Sequence, residues 1–240
     1  MIGVSLVERD PELFANLDET EMADAREAIV PAWQVEAGNW TPPAIDPARA
    51  PFGLLLLDGF LVRETVLPEA ASVEILGPGD VLRPWFEPME STNLAANAVW
   101  DVLETSVLAA LDVRFGSVAL RHPAIIATLL DRYTARVRWI SLQLAVGHIV
   151  GLDKRLETML WHLAERWGRV GKQGVILPLR FSHEFLAKLV GVRRPSVTSA
   201  VSRLRHEGIL ERREDGSWLL HGRPPAELAR ERERVMAKPA

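Results

Sequence analysis

The stretch that most narrows what this chain can fold into is 181–220, FSHEFLAKLVGVRRPSVTSAVSRLRHEGILERREDGSWLL. Ser182 offers a side-chain oxygen to the free amides of a first helix, whose apolar side is Phe185, Leu186 and Leu189. Ala187 is small where a second helix must cross closely. Gly191 can take the left-handed conformation that ends a helix. Pro195 suits the first turn of the next helix, where its missing amide costs nothing. Val197, Val201 and Leu204 then recur at helical spacing, and the opposite side carries Arg194, Ser196, Ser199 and Ser202. Such short or cationic side chains on a second helix fit a DNA major groove. After Gly208, Ile209 to Arg213 alternates as a strand, Asp215-Gly216 signals a two-residue turn, and Ser217 to Leu220 returns. With Val175 to Leu179 upstream, the pattern predicts a helix-turn-helix followed by a wing.

Charge separates this stretch from the first half of the chain. Residues 1–120 hold 6 Arg and no Lys against 20 Asp and Glu, whereas residues 121–240 hold 22 basic and 12 acidic side chains. Phosphate repels the first half and attracts the second, so nucleic acid should meet only the C-terminal half. The 240 residues contain no cysteine, which excludes disulfides, a cysteine-ligated cluster and a thiol sensor. No signal segment opens the chain and no apolar run reaches the ~18 residues of a membrane span. The reading is a cytoplasmic protein with no membrane contact.

Taken in order, residues 1–28 show helical apolar spacing at Leu6, Leu13, Leu17 and Met22, predicting one or two short helices over the next domain. From Ile29 to Leu111 short apolar runs alternate with glycine and proline, the texture of an antiparallel sandwich or barrel. Leu54 to Leu57 reads as a buried strand, and Leu108 to Phe115 as a turn into helix. From Pro123 to Val150 the only breaker is Gly147. Ile126, Leu130, Tyr133, Val137, Ile140 and Leu144 step by 4 and 3 in alternation, the seam of a coiled coil over roughly 40 Å. The simplest partner is the same helix from a second subunit. Gly151 ends that helix, Asp153 can cap the next, and GRVGKQG reads as a flexible connection into the winged helix. The tail from Pro224 alternates charges as a solvated face.

The order of β-rich domain, long helix, glycine break and winged helix resembles the Crp/Fnr family of bacterial transcription regulators. The resemblance is strongest in FSHEFLAKLVGVRRPSVTSAVSRLRHEGIL, and it is also visible in GLDKRLETMLWHLA and in ILGPGDVL, which resembles the Pro-Gly-Asp turn of a cyclic-nucleotide-binding fold. Two departures stand out. Arg83-Pro84 occupy the family's Gly-Glu positions and Thr92-Asn93 its Arg-Ser positions, so the carboxylate for the ribose and the guanidinium for the cyclic phosphate are both missing. Where family members present Arg, Glu and a second Arg to the bases, this chain has Arg194, Pro195 and Ser199.

The resemblance implies an α+β protein. Residues 1–121 form an antiparallel β-roll sensor domain, 122–151 a dimerisation helix, 152–223 a winged helix-turn-helix, and 224–240 a charged tail. It implies a homodimeric, sequence-specific DNA-binding regulator acting on double-stranded DNA at an inverted-repeat operator, with RNA polymerase as a further partner. An unknown small-molecule effector other than a cyclic nucleotide would control it. The alternative is a ligand-independent regulator whose β-domain is a scaffold or protein-contact surface. Trp33, Trp40, Trp85 and Trp100 are candidates either to line an apolar pocket or to fill the β-domain core. The expected DNA contacts are Arg193, Arg194, Ser196, Ser199, Ser202, Arg203, Arg205, Arg212 and Arg213, with Arg194 reading a base. No catalytic motif is present, so no enzyme, cofactor or metal is expected.

Overall fold

A computed structural model describes residues 2–44, 46, 48–86 and 97–225. The charged tail beyond Pro225 and the Thr92-Asn93 pair lie outside the described residues. The chain divides into two compact units, 1–139 and 140–240.

The first unit opens with a strand the spacing did not predict, β1 (Ile2–Ser5), which pairs antiparallel with β2 (Ile29–Val35). Between them run α1 (Leu6–Arg9), a 3-10 turn and α2 (Glu19–Ala25). Asp18 caps α2 by accepting from the amides of Thr20 and Glu21, while Glu21 accepts from the Asp18 amide in return. Leu6 and Leu13 are buried, and Leu17 and Met22 pack on the same cluster, so the predicted apolar spacing does cover the β-domain.

The sheet is wholly antiparallel. Its path is β1-β2-β7-β4-β5, built from β4 (Leu54–Val66), β5 (Ala71–Leu76) and β7 (Asn97–Ala110). The short strands β3 (Gly38–Asn39) and β6 (Val81–Leu82) pair with β7 and β4. The Leu54–Leu57 run explains itself through the two-residue period of a strand. Leu55 and Leu57 face a core shared with the helices, and Leu54 and Leu56 face a second core inside the roll. A strand buried on both faces has no polar positions to alternate with. The register of β4 against β7 shifts between Leu56 and Leu61. Gly59 lies there with φ of 83°, and a Cβ on it would come within 2.1 Å of Ser106 Oγ. Only glycine permits the two long strands to cross so closely where they bend.

Strand β7 runs to Ala110, so Leu108 to Ala110 are not helical as expected. The helix begins later, as α3 (Val113–Arg121), where Asp112 caps the amides of Arg114 and Phe115. Leu108 and Ala110 fill the roll interior while Ala109 faces the helices, an alternation that only a strand provides.

The long helix α4 spans Pro123–Gly147. Its apolar row does not all face one way. Ile126 and Tyr133 pack against the β-domain core beside buried Ile125 and Leu129. Leu130, Val137 and Leu144 are 61, 63 and 62% exposed, in an open row with Ala127, Thr134 and Ser141. Two arginines one turn apart fasten the inner face. Arg132 forks onto Asp10 at 2.5 and 2.7 Å, and Arg136 forks onto Glu74 at 2.5 and 3.0 Å and donates to the Val81 carbonyl. Glu74 is buried and also pairs with Arg63.

In the second unit, α5 (Leu152–Trp167) carries Leu156, Met159, Leu160 and Leu163 inward and ends at Gly168, while Trp167, whose spacing also predicts an inward side chain, is half-buried. Its N-cap is Gly151, not Asp153. The GRVGKQG connection is partly ordered as β8 (Arg169–Val170), the edge of a four-stranded antiparallel sheet ordered β10-β11-β9-β8. The remaining strands are β9 (Val175–Leu177), β10 (Leu210–Arg212) and β11 (Trp218–Leu220).

Candidate nucleic-acid interface

Helix α6 (His183–Val190) is capped by Ser182, whose Oγ accepts from the Phe185 amide at 3.1 Å. Gly191 closes it in the left-handed conformation, with φ 68° and ψ 41°. That sharp exit lets α7 (Arg194–His206) begin three residues later, with Pro195 in its first turn. Val197, Ala200, Val201 and Leu204 are buried against α5 and α6. Trp218, fully buried in β11, anchors the wing. The helix pair predicted from spacing is therefore present with its caps in place.

The wing turn differs in one detail. The Arg213 amide donates to the Ser217 carbonyl and the Gly216 amide to the Arg213 carbonyl, so three residues, Glu214 to Gly216, turn the chain. Asp215 sits inside that turn and accepts from both the amide and the hydroxyl of Ser217. Those bonds hold its carboxyl below the usual range. A three-residue loop closed by glycine is the next most common hairpin after the two-residue one that Asp-Gly suggested.

All nine residues expected to contact DNA are exposed, but they are not equivalent. Arg193 is the N-cap residue of α7 and makes no side-chain capping bond. Arg194 opens the helix. Among the described residues neither of them, nor Arg205, has an acidic partner. Arg212 lies over the Trp218 ring, 5.4 Å from its centroid, which holds a strand guanidinium in a defined place. Ser199 Oγ turns back to the Pro195 carbonyl at 3.2 Å. Arg213 pairs with Asp215 at 3.3 Å within the wing turn.

Arg203 is the clearest difference. Its guanidinium forks onto Asp153 of α5, with both distances 2.6 Å, so it ties the two helices together. The same fork holds the Asp153 carboxyl below its ordinary range. Sequence spacing placed Asp153 as a cap and Arg203 as a phosphate contact, because a pair fifty residues apart leaves no local signal. Two further residues went unnoticed. His183 Nδ1 lies 3.0 Å from Thr198 Oγ1, and the Thr198 hydroxyl donates to the Arg194 carbonyl. Thr198 stands four residues beyond Arg194, on the row that the helical period would have picked out.

In the β-domain the Pro-Gly-Asp turn is built as the motif implies. The Gly77 amide donates to Asp80 Oδ2 at 2.8 Å, and the Leu56 and Gly79 backbones close the turn onto β4. Arg83 is exposed beside buried Pro84. Trp100 is buried, with Trp40 edge-on to it at 5.9 Å, and Trp33, Trp40 and Trp85 pack on the roll's inner cluster. Trp100 is thus part of the roll core, and the other three are half-buried against it. Among the described residues no group of His, Asp and Glu is arranged to hold a metal, and no helix is long and apolar enough to cross a membrane.

A family model for the Crp-like helix-turn-helix domain matches residues 154–224. No curated protein matches the chain. Among solved structures, a CooA mutant from Carboxydothermus hydrogenoformans is 17% identical, with 91% of this chain and 93% of that one covered and a TM-score of 0.58. The c-di-GMP responsive global regulator CLP of Xanthomonas campestris is 18% identical, with coverages of 86% and 100% and a TM-score of 0.58. A cyclic nucleotide-binding domain containing protein from Listeria monocytogenes is 15% identical, with coverages of 79% and 88% and a TM-score of 0.61. At such identities the likeness is one of fold. With its winged helix matched by sequence and most of its length matched in architecture, the chain carries a Crp-like helix-turn-helix domain on the fold of the Crp/Fnr transcription regulators.

Proposed function

We propose that this protein is a homodimeric, sequence-specific DNA-binding transcription regulator of the Crp/Fnr type. The observation that carries the reading is the outer face of α7. Arg193, Arg194 and Arg205 stand exposed on it without acidic partners among the described residues, and Arg212 projects from the adjoining wing strand. Unpaired cations beside serine hydroxyls on an exposed helix face suit a groove lined by phosphates. Arg194 is the base reader, since a guanidinium can meet guanine in a bidentate pair. Ser196, Ser199 and Ser202 serve adaptable or backbone contacts, and Arg193, Arg205 and Arg212 serve the phosphates.

Dimerisation through α4 supports an inverted-repeat operator with half-sites about 34 Å apart. Selection of binding sequences from a random duplex pool tests both points. The expected result is a two-fold symmetric consensus whose affinity falls steeply with salt. Recovery of a single unrepeated half-site would refute the dimeric reading.

A second reading concerns control. The packing of Trp33, Trp40 and Trp85 onto the cluster around buried Trp100 favours a β-domain that acts as a scaffold or a surface for a partner such as RNA polymerase, against one that takes a small effector. Arg83-Pro84 argue against a cyclic nucleotide in either case. Thermal-shift measurements with a metabolite library separate the two, because a specific effector raises the melting temperature by mass action.

A further inference from the structure

Within the proposed DNA-binding face, one titratable side chain is surrounded by cations from two elements. His183, first residue of α6, packs against Thr198 of α7. The fields of Arg194 and Arg205 on α7 and of Arg212 on β10 all reach it. Glu184 follows it on its own helix, yet no carboxylate pairs with the imidazole among the described residues. An imidazole in the field of three guanidinium groups, with no counter-ion beside it among the described residues, makes a place that an anion would complete.

The hydrogen bonds favour one placement of the ring's protons. The Thr198 hydroxyl spends its hydrogen on the Arg194 carbonyl, at 3.1 Å. With its hydrogen so placed, its oxygen accepts at His183, and the tautomer that fits carries its hydrogen on Nδ1 and donates at 3.0 Å. In the neutral ring Nε2 is left as a bare lone pair with no partner among the described residues. A lone pair repels phosphate oxygen, and a proton on Nε2 turns the same atom into a charged donor.

We infer that His183 is a DNA-phosphate contact that acts only when protonated, so that DNA binding takes up a proton at each subunit. This rests on the DNA-binding reading above. Partial burial and the three arginines hold the imidazole below its ordinary value in the free protein, which keeps it neutral near pH 7. A phosphate between the guanidinium groups reverses that field and favours the imidazolium. Linkage then requires affinity to rise as pH falls. The limit for one group, neutral when free and protonated when bound, is about tenfold per pH unit per subunit.

The test is fluorescence anisotropy of the full-length protein on a labelled random-sequence duplex at constant ionic strength, from about pH 7.5 to about pH 5.5. Wild type, His183→Gln and His183→Lys are compared. Every other histidine is the same in all three, so the difference between variants belongs to His183. Wild type should tighten by about three- to tenfold per pH unit more than His183→Gln. His183→Lys should bind at the upper pH as tightly as wild type does at the lower. The His183 ring resonance should also titrate at higher pH when duplex is added, a shift that a merely structural role would not produce. Equal pH slopes for wild type and His183→Gln overturn the assignment while leaving DNA binding intact. If none of the three binds duplex at any pH, the DNA-binding reading falls and this inference with it.

Discussion

The open row on α4 permits a quantitative test of dimerisation. Leu130, Val137 and Leu144 are each a little over 60% exposed in the single chain. Complete burial of such a side chain is worth about 1.5–3 kcal/mol, so covering the part still open is worth about 1–2 kcal/mol each. A two-fold pair of helices buries the row from both sides, giving about 6–12 kcal/mol in total. That is the scale needed to offset the loss of rotational and translational freedom, about 4–15 kcal/mol. Leu130→Ala acts in both copies and should weaken the dimer by about 2–4 kcal/mol, or roughly 30- to 1000-fold in dissociation constant. Leu130→Asp with Val137→Asp should abolish it, because like charges would face each other across the seam. Tyr133→Ala makes the control. Its ring packs into the β-domain core, so it should lower the melting temperature more than the dimer affinity. Sedimentation equilibrium reads the association directly. If Leu130→Ala leaves the dissociation constant within threefold while Tyr133→Ala yields monomers, the helix pairs through its other face and the reasoning is wrong.

Four further outcomes are expected. Arg194→Ala should cost about 1–3 kcal/mol per half-site and relax preference at one base pair, whereas Arg212→Ala should weaken all duplexes alike and reduce the salt slope by about one; anisotropy on specific and random DNA distinguishes them. Arg203→Ala should change DNA affinity less than Arg212→Ala does, because its fork is already spent on Asp153; a loss as large as that of Arg212→Ala would show that phosphate displaces the carboxylate. Arg136→Ala leaves buried Glu74 paired with Arg63 and should destabilise the first unit by about 1–3 kcal/mol in urea unfolding. The Arg121 fork, with His122 behind it, holds the Asp24 carboxyl down to about 2. Its contribution is therefore present above about pH 4 and lost as pH falls toward 2, so hydrogen exchange in α2 should accelerate over that window in wild type and not in Asp24→Asn.

Local chemistry accounts for what the amino-acid order determined by itself. Ser182, Gly191 and Pro195 act within a turn of their own positions, so the caps and the helix-turn-helix were legible without any tertiary knowledge. The glycine- and proline-punctuated apolar runs determined an antiparallel β-domain in the same way. The order of residues also shows Thr92-Asn93 at the positions of the family's cyclic-phosphate clamp, which is the ground for expecting an effector other than a cyclic nucleotide.

Tertiary structure decided everything that depends on which face meets what. The heptad named six residues on α4, yet the sheet beneath takes Ile126 and Tyr133 for its own core and leaves Leu130, Val137 and Leu144 outward. A period of 3.5 cannot say which side of a stripe its own domain claims. Likewise Arg203 looked identical in sequence to Arg205, and only the approach of α5 gave one of them an aspartate. His183 carried no signal at all, since its surroundings come from α7 and β10 through space. Charge and capping are local properties, whereas burial and pairing belong to contacts between distant segments, and those contacts are made only by the fold.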